Sequence, residues 1–107
     1  MIISMPDSAT QLQRLYLAGF EFRTFELFPK CVGVTREGCL AMLIPGSDGM
    51  QIMGRPGWQI GDSLGVLVER NRRQVFQFKD QEVEATPERL ESLKRFETDL
   101  QALLRAE

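Results

Sequence analysis

The segment CLAMLI, residues 39–44, most strongly limits the folds that this chain can adopt, because every one of its residues is apolar. It follows Glu37 and Gly38, which are suited to a two-residue β-turn, so we predict a hairpin with strands over residues 31–36 and 39–44. A strand that is apolar on both faces must be covered on both faces. One cover can be a helix. The other must be a second sheet, a folded-over barrel wall or another subunit.

The C-terminal part of the chain has the clearest helical pattern. Thr86 is suited to cap a helix that begins at Pro87, where the missing amide hydrogen of proline has no cost. Glu91 and Arg95 are spaced to pair on the polar face. The apolar residues of the opposite face are Leu90, Leu93, Phe96, Leu100, Leu103 and Leu104. This spacing predicts a long amphipathic helix that covers a sheet.

A shorter helix is predicted for residues 8–19. Ser8 and Gln11 have the spacing of a capping box, in which each side chain bonds the backbone amide of the other residue. Gly19 is suited to the left-handed conformation that ends a helix. The residues predicted to share the apolar face are Leu12, Leu15 and Tyr16.

The residues between the two helices are typical of β-structure. Residues 64–70 and 74–79 form the clearest hairpin, closed by Asn-Arg at positions 71–72, and this register places Leu67 opposite Phe76.

Other strands and turns are less regular in sequence. A strand is predicted for residues 20–28 and is expected to end at Pro29. Residues 50–53 form a short apolar strand, residues 54–62 are interpreted as a loop, and a turn is predicted at residues 80–81. The fold class that follows is α+β: an antiparallel sheet or small barrel of about five to seven strands, with a short N-terminal and a long C-terminal helix.

The composition limits the classes of protein that need to be considered. A chain of 107 residues fits a single domain, taken here as residues 1–107. The net charge of −2 gives no general attraction for nucleic acid or anionic lipid, so neither is an expected partner. No apolar stretch is long enough for a membrane helix, and the N-terminus lacks the pattern of a signal peptide. A soluble, cytoplasmic protein is expected.

The two cysteines, Cys31 and Cys39, are predicted to be reduced. In the expected hairpin they lie several residues apart along the ladder, farther than the ~5.5 Å between Cα atoms that a disulfide requires. With two cysteines and no histidine, a tetrahedral zinc site is not expected, and no other metal or cofactor is predicted.

Residues 61–64 read Gly-Asp-Ser-Leu, the four letters that name a large family of serine esterases. In that family a histidine takes the proton of the serine, and this chain has no histidine. The residues after Ser63 also favour a strand, whereas a nucleophile of this type precedes a helix. Ser63 is therefore not predicted to be catalytic, and Gly61-Asp62 is interpreted as a turn.

Two groups of residues are candidate binding sites. Trp58 and Arg55 lie in the predicted loop near Met50 and Met53, and tryptophan and methionine are typical of surfaces that bind other proteins. The alternative is that Trp58 packs into the core. The second group is a basic cluster at the tip of the later hairpin, which is suited to phosphate or equally to a solvated turn. Its residues are Arg70, Arg72 and Arg73.

These features favour a small, non-enzymatic binding or protein-interaction domain of unknown ligand. It is expected to form a homodimer or to bind another protein, because CLAMLI needs two covers. One alternative is a small enzyme that uses carboxylates, with Glu82, Glu84 and Asp62 as the candidate groups. Another is a phosphate- or nucleotide-binding module that uses residues 70–73.

Overall fold

The structure is a computed structural model and describes residues 8–25, 28–47 and 49–105. These residues form one curled, half-barrel antiparallel sheet with strands in the order β1 to β7, together with two helices. The α+β class and the antiparallel sheet are as predicted. The elements are α1 (Ser8–Leu17), β1 (Glu21–Phe25), β2 (Phe28–Arg36), β3 (Cys39–Gly46), β4 (Gly49–Ile60), β5 (Ser63–Arg70), β6 (Arg73–Phe78), β7 (Gln81–Glu84) and α2 (Pro87–Arg105).

The β2–β3 hairpin has the predicted register, with Arg36 opposite Cys39. Glu37 and Gly38 both have positive φ, 53° and 86°, as a tight hairpin turn requires. Gly38 is needed for a second reason. A Cβ at this position would lie 2.6 Å from the Trp58 ring, so glycine allows the tryptophan to pack against the turn.

Strand β3 is covered on both faces within a single chain. Cys39, Ala41 and Leu43 belong to the main core, which α1 and α2 help to enclose. Side chains alternate along a strand, so Leu40 and Met42 point the opposite way, and both are also buried. The two covers that CLAMLI requires are therefore provided by the curled sheet and the helices, and this strand does not require a second subunit.

Helix α2 begins as predicted, because the Thr86 hydroxyl accepts a hydrogen bond from the Arg89 amide at 3.2 Å. Its buried residues are Leu93, Phe96, Leu100 and Leu104. The opposite face carries the predicted Glu91–Arg95 pair, with 3.7 Å between nitrogen and oxygen. In the described part of the chain, neither helix combines the length and apolarity needed to cross a lipid bilayer.

Helix α1 ends near Gly19, whose φ of +94° fits the predicted left-handed stop. The capping-box prediction is wrong for Gln11, which points into the core and joins three elements. Its amide nitrogen donates to the Leu104 carbonyl of α2 at 2.8 Å, and its amide oxygen accepts from the Met50 amide of β4 at 2.7 Å. Tyr16 was assigned to the apolar face but is 68% exposed.

Three strand and turn boundaries differ from prediction. Pro29 lies near the start of β2, where its missing amide hydrogen costs little, so it does not end the preceding strand. Residues 54–62 are not a loop, because β4 continues through a bulge to Ile60. The last turn comes one residue earlier than predicted, because Lys79 adopts the left-handed conformation with φ of 54°.

Both cysteines are free and buried, in agreement with the prediction. The Cys31 sulfur lies 3.8 Å from the Met53 sulfur. Burial raises the pKa of the Cys39 thiol to about 11, and the negative charge of Glu37 acts in the same direction. Cys39 is therefore a neutral, packed thiol near pH 7 and is not suited to act as a nucleophile.

Candidate functional site

An open cavity lies where β1 and the start of β2 face the turn between β4 and β5. Its volume is about 760 Å³, within the roughly 300–1,000 Å³ typical of small-molecule sites. Most of its wall is apolar or aromatic. The lining residues are Arg23, Thr24, Phe25, Phe28, Met42, Asp62, Ser63, Leu64 and Phe78.

One ion pair lies in the wall of the cavity. Nη2 of Arg23 is 3.3 Å from Oδ1 of Asp62, which joins β1 to the β4–β5 turn. The Asp62 side chain is 96% exposed and the Arg23 side chain 32% exposed, so water competes with this contact. The other terminal nitrogen of Arg23, Nη1, is buried and has no hydrogen-bond partner among the described residues. Asp62 therefore satisfies only part of the Arg23 guanidinium.

Gly33 makes room for this part of the cavity wall. It is paired with Arg23 across the β1–β2 ladder. A Cβ on Gly33 would lie 2.6 Å from the Phe25 ring and 3.3 Å from the Arg23 side chain. The missing side chain thus lets the Phe25 ring and the Arg23 stem lie against the sheet, and it fixes where the guanidinium emerges.

The tight β4–β5 hairpin positions Asp62. Ile60 pairs with Ser63, so Gly61 and Asp62 form the two-residue turn that the sequence predicts. Gly61 has a φ of +59°, a conformation that glycine adopts without strain. The turn holds Asp62 at the cavity and places Ser63 at the first position of β5.

The chemistry of the cavity lining is limited. Ser63 begins a strand, so the strand-to-helix turn that exposes an esterase nucleophile is not formed. Asp62 is the one carboxylate among the described lining residues. Glu82, another candidate acid, accepts a hydrogen bond from Arg70 at 2.8 Å, away from this ion pair. Over the described ranges, no group of three or more potential metal-binding side chains is found.

The candidate binding residues in and beside the predicted loop differ in how deeply they are buried. Trp58 stacks on Phe76 with ring centroids 5.6 Å apart, and its ring lies 5.7 Å from the Arg89 guanidinium. Met50 is buried in the core and Met53 is half-buried. Arg55 is exposed in the bulge of β4. The arrangement favours the packing interpretation of Trp58, while a role for these residues in binding stays a prediction.

The basic cluster lies at the β5–β6 turn, as expected. Arg70 donates to Glu82 at 2.8 Å and to Gln77 at 2.9 Å, so its guanidinium is engaged within the sheet. Arg72 is one of the two turn residues and has a φ of 65°. Arg72 and Arg73 are exposed. Phosphate binding at this turn remains a prediction.

Sequence reasoning missed Arg23, Phe25 and Phe28 as site residues. A partial signal is present, because Arg23 is a charged residue in the middle of a strand that is otherwise rich in phenylalanine. β1 lies near the β4–β5 turn because the sheet curls. No short sequence motif determines how far it curls. Asp62 was assigned to the correct turn but was considered only as a candidate acid.

No protein-family model matches this chain, and comparisons with curated proteins and with solved structures likewise give no significant match. The function is therefore inferred from the geometry described above.

Proposed function

We propose that this protein is a non-enzymatic binding domain that holds a small, predominantly apolar molecule in the cavity between β1 and the β4–β5 turn. The observation that carries this proposal is the lining itself: large apolar side chains line most of an open cavity of ordinary ligand size, beside four polar or charged residues. These apolar residues are Phe25, Phe28, Met42, Leu64 and Phe78.

The alternative functions have less support. A carboxylate-dependent enzyme needs an acid and a base at one site, and Asp62 is the single described carboxylate of the cavity. The Asp62 side chain is also almost fully exposed, whereas a catalytic pair needs a second group beside it. A phosphate site at the β5–β6 turn would have to compete with Glu82 for Arg70. Binding without chemistry accounts for the cavity with fewer requirements.

Binding of a neutral apolar dye, N-phenyl-1-naphthylamine, tests this proposal. We expect saturable enhancement of dye fluorescence with one site per chain. Leu64→Trp should reduce the affinity roughly ten-fold or more, because a bulkier side chain on the wall occupies space that the dye needs. Thr24→Trp provides a second block from an exposed position on β1, where a larger side chain disturbs the core less.

Val66→Trp is the matched control for this experiment. Val66 lies on the same strand as Leu64, two residues further along, is exposed, and does not line the cavity. Its substitution should leave dye affinity within about two-fold of the unmodified protein. Equal affinity in all four proteins, or no saturable binding, would contradict the proposed site.

Self-association is a second candidate function, supported by apolar side chains on one surface segment. Leu17 is 76% exposed, and Tyr16 beside it and Phe22 of β1 are also exposed. Strand β1 is the outermost strand on its side of the sheet. An outermost strand with exposed apolar residues is suited to pair with the same strand of a second copy. We propose that two chains associate through α1 and β1.

Light scattering at micromolar protein concentration should give about twice the mass of one chain. The double variant Leu17→Lys/Phe22→Lys should give the monomer mass, because two charges on each copy would face their symmetry mates. Val66→Lys, which changes an exposed apolar residue on β5, should remain dimeric. A monomer mass for the unmodified protein would contradict this second proposal and leave the cavity proposal unaffected.

A further inference from the structure

The unpaired nitrogen of Arg23 points to the chemistry of the ligand. We propose that the cavity binds a carboxylic acid with an apolar body, and that the Arg23 guanidinium holds its carboxylate. This inference rests on the proposed function, since it identifies the class of molecule that occupies the same cavity. It assigns Arg23 the role of selecting the ligand by charge.

The hydrogen-bonding state of Arg23 supports this assignment. A guanidinium offers five N–H donors, and it binds a carboxylate best through two parallel hydrogen bonds. Nη2 faces Asp62 at 3.3 Å, while Nη1 has no partner in the part of the chain that the structure describes. A buried donor without a partner is costly, so a ligand that supplies an acceptor for Nη1 gains affinity.

Binding through both terminal nitrogens requires the Arg23 side chain to move. Nη1 is buried beneath the wall, but the Arg23 side chain as a whole is partly exposed and lines the cavity. The ion pair with Asp62, its partner within the described ranges, is weak because the Asp62 side chain is almost fully solvated. The proposal requires the Arg23 side chain to turn about its aliphatic torsions, with Asp62 moving into water, so that both terminal nitrogens face a carboxylate in the cavity.

The charges of the wall favour a monoanion over a dianion. Arg23 and Asp62 are the charged residues among the described lining residues, and their charges cancel. One guanidinium can neutralise one carboxylate. A phosphate monoester carries close to two negative charges at pH 7 and would have one cation available and Asp62 nearby to repel it.

The remaining wall determines the other end of the ligand. Phe25 and Phe28 follow Arg23 in sequence and lie at the β1–β2 end of the cavity. Leu64 and Phe78 line the cavity from β5 and β6. These side chains offer no charged group to a ligand. A molecule with its carboxylate on Arg23 would therefore place an alkyl or aromatic body against these four residues.

Isothermal titration with amphiphiles of one chain length tests the inference: decanoate, decanol, decyl phosphate and decyltrimethylammonium, each below its micelle concentration at pH 7. We expect decanoate to bind roughly ten-fold or more tightly than decanol, because it adds a charged hydrogen-bonded pair. Decyl phosphate and the cationic amphiphile should bind more weakly than decanoate.

Two variants separate the role of Arg23 from that of the cavity. Arg23→Gln should remove the preference, so that this variant binds decanoate no more tightly than it binds decanol. Asp62→Asn should increase the preference for decanoate over decanol, since it removes a competing and repelling carboxylate. A circular dichroism spectrum and a urea midpoint for each variant establish that it is folded.

The outcomes distinguish this inference from the proposed function. Equal binding of decanol and decanoate, or a decanoate preference that survives Arg23→Gln, would overturn the carboxylate assignment while the apolar site stands. Tighter binding of decyl phosphate would overturn it in favour of a phosphate ligand. Failure of every amphiphile and of the neutral dye to bind would overturn both proposals.

Discussion

Gln11→Leu is expected to lower the free energy of unfolding by roughly 2 to 6 kcal/mol, since two buried groups lose their hydrogen bond to Gln11 and each costs about 1–3 kcal/mol. The side chain of Gln11 on α1 is buried and bonds to β4 and α2. Leucine has a similar size and a high helix propensity, so the change tests the hydrogen bonds and not the packing volume. The groups left unpaired are the Met50 amide and the Leu104 carbonyl.

Gln13→Leu is the matched control, because it makes the same replacement two residues along α1 at an exposed position. It should change stability by less than about 0.5 kcal/mol. Urea unfolding followed by circular dichroism, at one protein concentration, measures both variants. Similar midpoints for the two would mean that the Gln11 hydrogen bonds contribute little net stability.

The hydrogen bonds of Gln11 could not be predicted from the local sequence. The spacing of Gln11 from Ser8 fits a capping box, which is a pattern between residues close in sequence. The observed partners, Met50 and Leu104, lie 39 and 93 residues away along the chain. Bonds of this length depend on how the helices dock on the sheet, which a local pattern does not specify.

The parts of the fold that were predictable are those determined by neighbouring residues. The registers of the β2–β3 and β5–β6 hairpins follow from two-residue turns, and Leu67 lies opposite Phe76 as expected. Helix α2 was predictable because its cap and its apolar spacing both lie within one segment. Strand β4 was truncated in the prediction because Gly54, Pro56 and Gly57 are typical of a loop, whereas they form a bulge.

The candidate site was not predictable for the same physical reason. Arg23 and Asp62 are far apart in sequence and meet because the sheet curls. Each residue has an ordinary local setting, one in a strand and one in a turn. Trp58 and Met50 were favoured from sequence because tryptophan and methionine are uncommon residue types. In the structure, Met50 is buried in the core and Trp58 packs against the core. Rare residue types were thus a poor guide to the location of the cavity.

Trp58→Ala is expected to destabilise the fold by about 3 kcal/mol or more, through lost burial and the cavity that remains. Trp58 packs against the main core, stacks on Phe76 and lies against Gly38 of the β2–β3 turn. Its removal therefore affects the core and two hairpins together. A binding anchor on the surface would behave differently, since its truncation would weaken association by roughly 2 kcal/mol and cost the fold little.

Trp58→Phe is the control that separates ring packing from other effects, because it keeps an aromatic ring on Phe76 and should retain most of the stability. Urea unfolding monitored by circular dichroism compares the three proteins. Trp58 is the one tryptophan of the chain, so the emission of the unmodified protein has a single source. Emission that stays blue-shifted at every dilution, and moves to the red only in denaturant, supports the packed ring. Red emission that shifts to the blue as the protein is concentrated, with Trp58→Ala as stable as the unmodified chain, would instead place Trp58 at a contact between molecules.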